Sequence, residues 1–249
     1  MNREEAILRE LNLYPQWQRR GQAKSVLEQV TVAAQPIAEQ VASKSVVEKE
    51  DMQTLDSHNW PELKALVKNC MACKLRASCT QTVFGMGDTR ADWLFVGEWP
   101  GADEDVQGEP FVGQSGKLLD NMLAAIKLKR GHNVYITNIL KCYPAGGNMP
   151  EANELAQCMP YLERQIQLIQ PKLIVALGET AALLLGHDAT LSELRGKLFD
   201  YCGSSSQCWV KSIPLIITYH PAYLLHAPLK KAQAWDDLRL AVATMQRLV

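Results

Sequence analysis

Long apolar runs are missing from this chain. No stretch approaches the roughly 18 uninterrupted apolar residues that a membrane span requires, so no membrane partner is expected. An excess of one charge is missing too: 26 Lys and Arg stand against 27 Asp and Glu, for a net charge of −1. No global field therefore draws phosphate to the surface, which counts against chemistry on nucleic acid. Residues 1–18 contain no apolar leader, and the seven cysteines are an odd number. Both lead to the expectation of a reducing cytoplasm. Internal repeats are absent. Aromatics are absent from residues 23–59, a stretch rich in Ala, Val, Gln, Glu and Ser. Such a segment buries too little to offset its ordering entropy, so residues 22–59 read as a flexible linker.

An apolar fraction of 47% in 249 residues is enough for one α/β domain with an appendage. Apolar patterning predicts helices over 63–73, 116–126, 151–169, 179–185 and 235–248. Short strands are predicted over 93–96, 134–137, 173–177 and 215–218. Strand and helix in alternation argue for a mainly parallel sheet covered on both faces. Functional loops in such folds gather beyond the carboxyl ends of the strands. Glu98, Asn138, Gly178 and His220 each stand at or just after a strand end and are expected on one edge.

Cys70, Cys73, Cys142 and Cys158 stand as C-x2-C-x68-C-x15-C. One close pair with two distant partners is what a tetrahedral sulfur site requires, and iron–sulfur and zinc both fit it. Buried free thiols or disulfides are the plainer alternative. Cys79, Cys202 and Cys208 are left over, and a redox-sensing role for them is the blandest reading.

The cysteine spacing joins Gly97-Glu98-Trp99-Pro100-Gly101, Glu109-Pro110-Phe111-Val112-Gly113, Asn138 and His220-Pro221. Together, in this order, they resemble the family 4 uracil-DNA glycosylases. The resemblance implies a three-layer α/β glycosylase fold over residues 60–249 and a 4Fe-4S cluster on the four cysteines. It also implies site roles: Glu98 positions water, Asn138 and Phe111 read the uracil, and His220 stabilises the leaving group.

Departures from the family pattern point away from catalysis. Trp99 stands where the family has a small residue, and an indole there is expected to plug the base pocket. Glu109, Gln114, Tyr143, Met149 and His226 replace residues that are commonly basic, which should weaken the grip on phosphate. Direct DNA binding is therefore doubtful on this reading.

Residues 1–21 are separable from the rest. Leu11, Leu13, Tyr14 and Trp17 lie close together with Arg19 and Arg20 beside them, and aromatic and arginine residues are common interface anchors. The segment resembles the amino-terminal peptide of psi, an accessory subunit of the bacterial DNA polymerase III clamp loader. That resemblance implies a psi-type subunit on an inactive glycosylase-like body. Residues 1–21 would bind the loader core, and the folded domain would bind the chi subunit. An active family 4 uracil-DNA glycosylase is the alternative.

Overall fold

The computed structural model describes residues 55, 57–147, 149–179, 189–203 and 212–248. The peptide of residues 1–21, most of the linker, and all but the first residue of the helix expected over 179–185 lie outside the described residues.

Helix α1 (Trp60–Lys68) begins at Asn59, whose side chain accepts from the Glu62 amide at 3.1 Å. The Glu62 carboxylate accepts from the Asn59 amide at 2.8 Å, completing a reciprocal cap. The helix ends at Asn69, short of the expected residue 73, and the chain turns through Cys70 and Cys73 into α2 (Leu75–Ser78). The remaining elements in chain order are β1 (Met86–Gly87), β2 (Trp93–Gly97), α3 (Ala102–Gln107), α4 (Gln114–Ala125), β3 (Val134–Asn138) and α5 (Ala152–Ile169). After these come β4 (Leu173–Leu177), α6 (Leu191–Leu194), β5 (Leu198–Tyr201), β6 (Ile213–Thr218), α7 (Pro221–His226) and α8 (Lys231–Leu248).

The six strands form one sheet in the order β1-β3-β2-β4-β6-β5. The four inner strands are parallel, and β1 and β5 close the edges in antiparallel sense. Every residue of β2, β3 and β4 is buried, as strands covered on both faces require. Alternate residues then supply two cores. Leu94, Val96, Tyr135, Ile174, Ala176, Leu215 and Ile217 pack on one side with Leu162, Ile166 and Ile169 of α5. Trp93, Phe95, Val134, Ile136, Val175 and Ile216 pack on the other with Leu119 and Leu123 of α4 and Ala241 and Met245 of α8. Each such side chain contributes about 1.5–3 kcal/mol when fully buried. The three-layer, mainly parallel reading holds, and the two edge strands are additions to it. Among the described residues no helix is long and apolar enough to cross a membrane.

Candidate functional site

Because β3, β2, β4 and β6 run parallel, their carboxyl ends share one edge. Gly97 is in register with Asn138, and Leu177 with Thr218. Beyond the strands the ladder continues: the amides of Ile139 and Leu140 donate to the carbonyls of Gly97 and Glu98, and the Gly178 amide donates to Thr218. The sheet thus brings Glu98, Asn138, Gly178 and His220 to one rim, as expected.

Phe111 reaches the same rim from the loop between α3 and α4. A Cβ on Gly97 would strike Asn138 Oδ1 and would lie 2.6 Å from Phe111 Cζ. Only glycine lets the amide and the ring converge there. Phe111 is 4% exposed and Asn138 is 2% exposed. Even so, among the described residues Asn138 Oδ1 has no hydrogen-bond partner. A buried unpaired acceptor costs on the order of 1–3 kcal/mol, so it marks a place where a ligand donor belongs.

The backbone of Phe111 is itself strained, at φ 56° in the left-handed region, a conformation costing about 1–3 kcal/mol. Arg130 holds it there by donating to the Pro110 carbonyl at 2.8 Å and the Phe111 carbonyl at 2.9 Å, while its Nε pairs with Asp120 at 2.8 Å. Gly116 removes the Cβ that would strike the Phe111 carbonyl. Neither Arg130 nor Gly116 is signalled in the sequence, since both act through contacts distant along the chain.

His220 stands 5.4 Å from Phe111 between ring centroids. Its Nδ1 accepts from the Ala222 amide at 3.2 Å and caps α7, which leaves the proton on Nε2. Burial lowers its pKa from 6.5 to about 4, so the ring is neutral near pH 7 and offers one N–H. The unfolded chain takes up a proton as pH falls through about 6.5, whereas the fold resists it until about 4. Stability is therefore complete above that window and declines as pH drops through it, at about 1.4 kcal/mol per pH unit. His220→Asn keeps a capping acceptor and should remove one proton from this linkage. Thermal unfolding measured from pH 7 to 4 checks it, and an unchanged slope would overturn the assignment. Glu98 lies against Gly178, where a Cβ would strike its Oε1.

Cys142 and Cys158 are buried, and Cys70 and Cys73 are half-buried. They neighbour one another: burial raises the Cys158 pKa to about 11, with Cys73 and Cys70 adding to the rise and Lys141 opposing it. Burial also raises Cys142, with Cys79, Cys158 and Cys73 contributing. Tyr161 Oη donates to Cys70 Sγ at 3.4 Å. Among the described residues no three His, Cys, Asp or Glu side chains are grouped to hold a single metal ion. These neighbouring thiols, with the pKa of Cys73, Cys142 and Cys158 raised by burial, are a donor set that fits an iron–sulfur group and also a zinc ion. Trp99 packs on this nest with Leu75, Cys79, Leu140 and Cys142. Part of the indole's apolar surface is thus taken up by that cluster.

Lys141 joins nest and slot. It is 2% exposed, and its Nζ donates to Thr137 Oγ1 at 2.8 Å, the Asn138 carbonyl at 2.7 Å and Gln165 Oε1 at 2.7 Å. Gln165 in turn donates to the Phe84 carbonyl at 2.9 Å. The backbone that aims Asn138 is thereby fixed from beneath.

The family model described as the uracil DNA glycosylase superfamily matches residues 84–239. A type-4 uracil-DNA glycosylase of Archaeoglobus fulgidus is 40% identical over 178 residues, covering 70% of this chain and 86% of that protein. One from Pyrobaculum aerophilum is 37% identical over 184 residues, covering 72% and 91%. One from Thermotoga maritima is 40% identical over 161 residues, covering 64% and 79%. These relatives overturn the expectation of a clamp-loader psi subunit that is not an enzyme. With it go the loader core and chi as partners and the doubt about DNA.

Proposed function

The chain belongs to the uracil DNA glycosylase superfamily, and on that premise we propose that it is an active type-4 uracil-DNA glycosylase, hydrolysing the N-glycosidic bond of deoxyuridine in DNA. The observation that carries the reading is Asn138 Oδ1, buried and without a partner among the described residues, beside the ring of Phe111.

In this reading a uracil turned out of the strand stacks on Phe111. Its N3–H donates to Asn138 Oδ1, and its O4 accepts from the Asn138 amide nitrogen. Cytosine reverses both positions, so the same amide rejects it. The C1′–N1 bond breaks with its electron pair leaving on uracil. The charge that reaches O2 is met by the Nε2–H of neutral His220, a donor already in position. Glu98 orients a water toward C1′ and accepts its proton as the new C–O bond forms. The products are free uracil and an abasic site.

Cys70, Cys73, Cys142 and Cys158 would hold a 4Fe-4S cluster. When bound, it supplies iron–thiolate bonds that cross-link segments distant in sequence, and no step of the hydrolysis is assigned to it. A cytoplasmic location is part of the same proposal.

Purified holoprotein should release uracil from uracil-containing single-stranded and double-stranded oligonucleotides, read as strand breaks after alkali. No release from either substrate would overturn the reading.

A further inference from the structure

A groove of about 720 Å³ lies between α1 and the segment through β1. Lys64, Lys68 and Arg76 line it with Thr80, Thr82 and Thr89, and it extends to Gln107, Gly108 and Glu109. Arg130 contacts Met86 of the groove lining at 3.3 Å and also donates to the Pro110 and Phe111 carbonyls, so the groove opens beside the loop that carries Phe111. The two lysines are four residues apart on one exposed helix face. Arg76 spends one nitrogen on the Cys79 carbonyl at 3.3 Å, and among the described residues its Nε has no partner.

The neighbouring acids other than Glu109 stand outside the groove lining. Asp105 accepts from the Thr80 amide at 3.0 Å and also from Gln81. Glu62 caps its own helix, and Asp88 accepts from the Arg90 amide. That leaves three cations and three hydroxyls facing one carboxylate, Glu109, in a chain whose net charge is −1. Trp60, at the rim, adds a half-buried aromatic surface. Cations along a groove with an aromatic surface suit a single nucleic-acid strand.

We propose that this groove binds the DNA strand flanking the extruded nucleotide, with its phosphates on Lys64, Lys68 and Arg76, and that Glu109 limits how tightly it holds. The inference rests on the glycosylase reading and identifies where that enzyme grips its substrate. The positions with missing cations are thus compensated from α1 and α2.

The test uses uracil-free single-stranded DNA and the full holoprotein, so its result is independent of catalysis. Binding is measured by fluorescence anisotropy against salt concentration. Lys64→Gln with Lys68→Gln should lower the slope of log affinity against log salt by about 1.4, at about 0.7 per single-strand phosphate contact. The same relation weakens binding by about fivefold per cation at 0.1 M salt. Glu109→Gln should tighten binding, while Lys197→Gln, an exposed site beside β5 at the opposite sheet edge, should match the wild type. An unchanged slope in the double variant, or an equal loss in Lys197→Gln, would overturn the groove. Failure to release uracil with these slopes intact would count against the glycosylase reading alone.

Discussion

Gly97→Ala is expected to lower uracil release by about 10²-fold or more while leaving the protein folded. The new methyl would enter the space where Asn138 Oδ1 and the Phe111 ring converge. One of them must retreat, and misplacing a positioning group by about 1 Å costs roughly that factor. Overpacking costs about 1–3 kcal/mol, which a domain of this size withstands. The backbone of Gly97 does not require glycine, because its φ is not in the left-handed region. The loss would therefore report the slot rather than strain. Single-turnover excision beside a thermal melt separates the two effects. Activity within threefold of wild type would mean that Asn138 and Phe111 do not hold the base together.

The second large effect is expected from the thiols. Cys158→Ser swaps one buried atom on α5 for a near-isostere, yet it should remove the brown visible absorbance and the bound iron. Loss of a structural metal group belongs among the changes that exceed about 4 kcal/mol, so the melting temperature should fall by about 10 °C or more. Cys79→Ser is the informative companion. Cys79 is buried in the same apolar cluster as Cys142 and Cys158 and stands outside the proposed ligand set. It should keep both colour and iron. If Cys79→Ser bleaches the protein and Cys158→Ser does not, the ligand assignment is wrong.

The inner sheet was legible because its strands are short, uninterrupted apolar runs, such as Leu173 to Leu177, separated by helical periods. The rim was legible for a related reason: a parallel sheet gathers its carboxyl ends, so Glu98, Asn138 and His220 had to meet. The edges were not legible. Strand β1 has two residues, one of them glycine, and β5 alternates in burial along only four positions. Such strands exist through pairing with a neighbour rather than through their own pattern. The packing of Trp99 on the thiols was not legible because a side chain after a strand can turn to either side, and sequence does not carry that choice. Arg130 was invisible because its value lies in two carbonyls, Pro110 and Phe111, about twenty positions away. The three cations of the groove come from two helices, α1 and α2, and show no run that charge counting detects.

The segment from Thr137 to Cys142 carries Asn138, proposed to read the base, near one end and a thiol at the other, with Lys141 bonded to the Asn138 carbonyl between them. Under the proposed roles, a change at Lys141 is felt at both ends of this hexapeptide. An engineer grafting the slot onto another scaffold would have to carry Gln165 and the whole segment as one heritable part.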